Sequence, residues 1–437
     1  MSFLPNRPLY RRLLIFGVVV GTLLVGLCLW AMYSRYSYGA RLAAIRSAGD
    51  PASIADLAPQ PVSIENDAAA QLAAVATSID AFAREHGRFF NTPTGKAYEA
   101  ADDRDEPATA EQLAAIGAIV ENYPELDAAI ARAAACDGYA SRLDYSLPGP
   151  AFLAAMGTSP TTEIRTIARF VRWQMELAVA EGRRDKAIAS GIQLLRLARL
   201  FDAEPGLVSS MLADAVRYSA ADALYHALAA GEVSRERHAQ LDDELTKHGD
   251  GQSLIHTLKS ERAINISMLE AQFGGWNPLV MNTVGWPLRM HQASILDLHE
   301  ALLPVVARPW HEVHADPKLK ALFQAQSGEG VMADLLLPSI EAVHKLANRS
   351  AALVRSLRIQ NALSHFADEH GREANGLAEL ALPKEATIEP FSGEPLVVKH
   401  TEDGWMVYSV AENGVDDGGS FDDQKDWGLG PRNKAAE

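Results

Sequence analysis

Cysteine is almost missing from this chain. Cys28 and Cys136 are the only two in 437 residues, too few for a disulfide framework or a four-thiolate zinc site. Also lacking are a G-x-G-x-x-G turn after a strand, a Walker A loop and a G-x-S-x-G elbow, so dinucleotide, P-loop and α/β-hydrolase chemistry have no sequence signature here. Basic residues are in deficit, 40 Lys and Arg against 56 Asp and Glu for a net charge of −16, which argues against a general nucleic-acid binder. Glycine and proline (31 and 22) show no collagen-like excess, and 48% hydrophobic residues are too many for a disordered chain. At roughly 100–200 residues per domain the length allows two to four domains.

Acidic residues are absent before Asp50, and within that span LLIFGVVVGTLLVGLCLWAM, Leu13 to Met32, carries no charge. Twenty residues at about 1.5 Å each make a helix of roughly 30 Å, the thickness of bilayer hydrocarbon. Tyr10 on one side and Trp30, Tyr33, Tyr36 and Tyr38 on the other supply aromatic belts. A cleaved signal peptide would have a shorter apolar core and small residues after it, whereas the exit here reads WAMYSRYSYGA. The expectation is an uncleaved signal anchor. Arg7, Arg11 and Arg12 precede the run and Arg35, Arg41 and Arg46 follow it, so the basic count is tied. The Arg11-Arg12 pair against the apolar core, with a short tail before a long remainder, places residues 1–12 in the cytoplasm, the anchor at 13–34 and the bulk outside.

Residues 35–61 follow as a linker, Pro- and Ala-rich from Gly49 to Pro61, and then 62–338 has helical spacing. Thr162 can cap a helix that carries Ile164, Ile167 and Val171 on one face, ended by Gly182. The next, from Asp185, sets Ile188, Ile192 and Leu195 against Gln193, Arg196 and Arg199 on the opposite face. Pro205 opens a third that Gly231 closes, and Ser234 caps a fourth. AVAEGRRDKAIASGIQLLRLA looks like a tetratricopeptide-type hairpin, although no recurrence of about 34 residues surrounds it. FAREHGRFFN at 82–91 matches FADEHGREAN at 366–375 in seven of ten positions. Each is expected to end a helix, with His and Arg at its negative end and Gly where the chain leaves; the match fits duplication or shared cap chemistry alone. Between Gly274 and Pro317, Trp276, Trp286 and Trp310 lie in Pro- and Gly-rich sequence and form a groove or lid, or plug neighbouring helices. WHEVH invites comparison with the HExxH zinc motif, but His311 and His314 are three apart rather than four, and Pro309 and Pro317 preclude a long helix. His291, His299, Glu300 and Glu312 are the other candidates for such a site.

From Ser339 a helical pattern runs to His370, and alternation then replaces it: Leu396–Lys399 and Trp405–Ser409 read as strands around a TEDG turn. A helix, NGLAELALPKEA, PFSGEPL, a hairpin ending VYSV, and NGVDDGG together resemble the C-terminal half of type II secretion pseudopilins. With the LARL runs and EPGLVSSML of the middle segment, the chain also resembles a group of uncharacterised single-pass helical envelope proteins of planctomycete-type bacteria. The resemblance implies an α+β module at 339–437 and a calcium ion in the loop after the last strand, with Asp416, Asp417, Asp422 and Asp423 as ligands and Asn413 and carbonyls assisting. Calcium takes six to eight oxygens, and carboxylates among glycines offer charge and a flexible wrap; an acidic, solvated tail is the other possibility. The chain is expected to depart from pilin subunits, with no cleaved leader and no glutamate near the start of the apolar helix.

The expected fold is therefore mainly α: an N-terminal transmembrane helix, a multi-helix body with a TPR-like hairpin, and a small C-terminal pseudopilin-like module with a β-hairpin. The expected role is a membrane-anchored cell-envelope protein, not an enzyme, that binds or scaffolds an envelope protein partner. The alternatives are a secretion-system accessory and a metal-dependent hydrolase.

Overall fold

The computed structural model describes residues 7–104, 106–156, 159–248, 252–273, 285–318, 331–421 and 425–431. Among them are fifteen α-helices: α1 Arg7–Ser47, α2 Ala68–Ala73, α3 Ala76–Phe89, α4 Pro93–Asp102, α5 Ala110–Val120, α6 Pro124–Ala134, α7 Gly149–Met156, α8 Ser159–Ala180, α9 Arg184–Phe201, α10 Leu207–Ala229, α11 Arg235–Leu245, α12 Gln252–Phe273, α13 Trp286–Val306, α14 Trp310–Ala315 and α15 Val331–His370. Three strands follow: β1 Val397–Thr401, β2 Gly404–Ser409 and β3 Trp427–Leu429. The fold is mainly α with a small C-terminal sheet. The contacts divide it into two compact units, Met1–Leu57 with Tyr145–Leu153 and Lys259–Leu302, and Ala58–Asp144 with Ala154–Leu258 and Leu303–Glu437.

The first unit is organised by α1, which is long and apolar enough to cross a membrane. The helix does not stop where the apolar run ends. Past Met32 it continues to Ser47, and Ile45 packs with Ala52, Ile266 and Leu296, flanked by Tyr38 and Leu42. Asp50, the first acidic residue of the chain, accepts from Lys259 Nζ at 2.6 Å and Arg262 Nη2 at 3.0 Å. Arg262 has no exposed side-chain surface and pairs also with Glu300. A guanidinium can be buried so only when carboxylates answer it. The stretch after Gly49 is held as well: Ile54 N donates to Ser267 Oγ at 3.0 Å.

The second unit holds the main core. Local signals set its helices. Thr109 and Gln112 form a reciprocal capping box that satisfies two otherwise orphaned N–H groups, and Ser234 Oγ accepts from Arg237 N at the start of α11. Gly182 (φ +74°) lets the chain leave α8 and turn into α9. At the centre Phe82 is fully buried, with Phe170, Trp173 and Tyr123 edge-on to it at 5.1, 5.6 and 5.8 Å between ring centroids, the geometry that sets ring edges against π faces. Leu353, Val354 and Leu357 of α15 and Leu429 of β3 complete the same core.

The two copies of the FA-x-EHGR echo behave differently. At Gly371 (φ +64°) the chain leaves α15 as expected, but α3 runs on through Gly87 to Phe89. The reason is aromatic: His86 stacks on Trp173 at 4.6 Å and Phe89 and Phe90 close around the same indole, so packing carries the helix past its cap signal. That burial holds the His86 pKa down at about 4, with Arg169 adding repulsion.

The sheet is antiparallel in the order β1-β2-β3, with Val398 opposite Val407 and Val407 opposite Leu429. It lies on α15, where Gln360 Nε2 donates to the carbonyls of Trp405 (2.7 Å) and Leu429 (3.3 Å), tying two strands to one helix. β3 was not expected: three residues are too few to show alternation.

Close packing joins α9 to α10. A Cβ on Gly191 would stand 2.5 Å from Leu224 Cδ2 and 2.9 Å from Met175 Cε, and both side chains are themselves buried. Gly191→Ala is expected to cost about 1–3 kcal/mol by overpacking, visible as a lowered melting temperature with helical circular dichroism unchanged.

Candidate functional site

A cavity of about 590 Å³ opens within the second unit among α9, α10, the N-terminal part of α12 and α15. Its lining carries Arg199, Arg217, Lys247, Arg308 and Arg355 but only two carboxylates, Asp202 and Asp214, beside His248 and His256. Leu254, Val306, Val354 and Pro390 supply apolar wall. In a chain of net charge −16, a positive concavity needs a local cause.

That cause is the placement of the carboxylates. Glu244, at the end of α11, has no exposed surface, and Arg196 Nε and Arg199 Nε donate to it at 3.1 and 3.0 Å. Lys247 Nζ and His248 Nε2 stand 3.7 and 3.4 Å away. Burial works to raise the Glu244 pKa, but His248 and Arg199 overcome it and hold the carboxyl at about 2. His248 in turn accepts on Nδ1 from Arg217 Nε at 3.3 Å, which leaves Nε2 as the protonated nitrogen facing Glu244. Burial, with Arg217 beside it, keeps the His248 pKa low, consistent with a neutral ring. Arg217 is buried and donates to Asp214 at 2.6 Å and to Asp202.

Arg355 is different. Its Nη1 donates to the Ile388 carbonyl at 2.6 Å, and among the described residues no carboxylate lies within 4 Å of its guanidinium. Burial lowers its pKa and Glu389 counters that. Glu389 itself is buried and taken up by the N–H groups of Phe391 and Ser392 and by Ser409 Oγ. A half-buried guanidinium whose one ordered partner is a carbonyl has donors to offer an incoming oxyanion.

The other candidates sit elsewhere. WHEVH lies in the six-residue α14: His311 Nδ1 meets Pro390 O at 2.9 Å, Glu312 accepts from Arg308 at 3.1 Å, and His314 stacks on Trp310 at 3.7 Å between centroids. His299 Nδ1 lies 2.9 Å from Ile295 O and Glu300 pairs with Arg262. Trp310 is buried in packing, Trp286 meets Trp30, and Trp276 lies outside the described residues. The buried Cys136 donates to Arg132 O, its pKa raised by burial and by Asp67 and Asp137.

In the acidic loop, Asp416 accepts from Tyr408 OH at 2.7 Å, Gly418 N at 2.9 Å and Lys399 Nζ at 3.1 Å, and Asp417 accepts from Asn413 Nδ2 at 2.7 Å. Asp422 and Asp423 lie outside the described residues. The loop wraps instead around Asp426, fully buried, which accepts from the N–H groups of Asp417, Gly419 and Ser420. Converging N–H and ammonium donors neutralise carboxylates but cannot ligate a hard cation, so the described part of this loop does not fit calcium. Among the described residues no group of three or more His, Cys, Asp or Glu could hold a metal ion.

The basic cleft escaped sequence reading because its lining comes from well-separated segments. Arg196 and Arg199 alone gave a signal, as a polar helix face, and both donate to the buried Glu244. No family model, no curated protein and no solved structure matches the chain.

Glu244→Gln should destabilise the protein by about 3–5 kcal/mol, the usual cost of removing one partner from a buried ionic cluster. Because the Glu244 pKa is depressed, its contribution is present above the unfolded carboxylate pKa and is lost as pH falls toward about 2. The stability gap between the two proteins, measured by denaturant titration, should therefore narrow as pH is lowered through that window.

Proposed function

We propose that the chain is a single-pass, membrane-anchored cell-envelope protein that acts by binding, and that its helical unit takes a ligand bearing a carboxylate or phosphate in the basic cleft. The observation that carries this reading is Arg355, a half-buried cation without a carboxylate in ion-pair range among the described residues, in a lining of five basic and two acidic side chains. The apolar wall beside it suits an organic anion better than a bare inorganic one. Anchoring is supported by α1, whose apolar stretch is exposed apart from its end at Ala31. The α8–α9 pair turning at Gly182 supports a TPR-like hairpin, a common framework for binding surfaces. The helix-plus-sheet arrangement of α15 with β1, β2 and β3 supports a pseudopilin-like module, and with it the alternative of a secretion-system accessory.

Full-length protein in lipid nanodiscs tests the ligand class. Citrate and inorganic phosphate should raise the melting temperature; a ligand at a hundred times its dissociation constant stabilises by about 2.7 kcal/mol. Arg355→Met should lose that response while folding normally, and an equal response in the variant would exclude the cleft. Topology is tested separately: protease added to intact spheroplasts should cut beyond Tyr38, and complete protection would reverse the orientation.

A further inference from the structure

Two contacts within the first unit fix how α13 runs beside α1. Trp30 and Trp286 meet edge to face, 5.9 Å between centroids at 88°. Arg41 Nε donates to Asp297 Oδ1 at 2.5 Å and Nη2 to Oδ2 at 2.7 Å. The two contacts lie eleven residues apart on each helix. Eleven residues are three turns and about 17 Å of rise, so the helices are parallel, in step, and meet along one face. The buried residues of α1 agree: Ala31, Ser34, Ser37 and Ile45 form a stripe with spacings near one or two turns, and Ile45 packs with Leu296.

This register sets a level. α13 begins beside Trp30, two residues before the end of the apolar run, and rises with α1 away from it. If α1 spans the bilayer, as proposed above and as this step requires, Trp286 is held where hydrocarbon gives way to headgroups. The residues near that level have the chemistry of the boundary: Trp30, Tyr33 and Tyr36 are exposed, with Arg35 following on α1 and Arg289 on α13. We infer that the first turn of α13, from Trp286 to Met290, is a second, non-spanning membrane contact, seated in the headgroup layer, where Arg35 and Arg289 supply positive charge for the phosphates of anionic phospholipid. Burial, with repulsion from Arg35, lowers the Arg289 pKa, and a neighbouring phosphate would relieve that repulsion.

Nitroxide labels on the full chain test this, in a Cys28→Ser, Cys136→Ser background and in vesicles of three parts phosphatidylcholine to one of phosphatidylglycerol. Labels go at Val19→Cys in the apolar run, Pro287→Cys in the first turn of α13, and Ser294→Cys, about 10 Å further along that helix. Oxygen-to-nickel-chelate accessibility at 287 should fall between the other two, severalfold above 294. Arg35→Gln with Arg289→Gln should move it toward the value at 294. A label at 287 as wet as that at 294, with 19 in hydrocarbon, overturns the second contact and leaves the anchor standing. Water at 19 as well overturns both. Should Pro287→Cys disturb the helix, brominated phosphatidylcholine reports instead: Trp286→Phe must lose part of the tryptophan quenching, and undiminished quenching overturns the inference.

Discussion

The second unit depends on one buried charge. Removing the Glu244 carboxylate from water costs several kcal/mol, and the fold offsets this by gathering Arg196, Arg199, Lys247 and His248 around it. The consequences run outward in sequence. α9 is fixed against α11, His248 is held in one tautomer, Arg217 is oriented by His248, and Asp202 and Asp214 are drawn to Arg217. The sign of the cleft follows from this order. Glu244 and Glu389 are sealed behind the wall while Arg199, Lys247 and Arg355 line it. An acidic protein thereby has one concavity whose lining carries more basic than acidic side chains.

Much of the helical architecture is legible in the chain because it rests on local rules. The caps and breakers at Gly182, Gly231 and Ser234 mark the ends of α8, α10 and α11 to within a few residues. The alternation around TEDG likewise gives β1 and β2. Tertiary packing overrides local signals elsewhere: Gly87 does not end α3 because Trp173 holds His86 and Phe89, and β3 exists because Gln360 and Val407 offer its short segment partners. The cleft is illegible for a related reason. No two of Arg199, Lys247, Arg308 and Arg355 are close enough in sequence to form a motif, and their meeting is a product of helix packing. In the acidic loop, the pseudopilin resemblance implied ligands, whereas the surroundings of Asp416 and Asp426 depend on whether donors or acceptors turn inward, and sequence does not encode that.

The membership of the main core bears on how the chain can reach this state. Phe82, Ile130, Phe170 and Leu224 share that core with Leu357 and Leu429, so side chains separated by more than three hundred positions must meet before it closes. Such non-local contacts make folding slow and leave apolar surface open meanwhile. On a ribosome, the helices up to α11 can pack on one another as they emerge, because all of the buried core except Leu353, Val354, Leu357 and Leu429 lies at or before Leu245, and the patch those four cover stays open until α15 and β3 arrive. Truncation before α15 would leave that patch permanently exposed on the remaining helices.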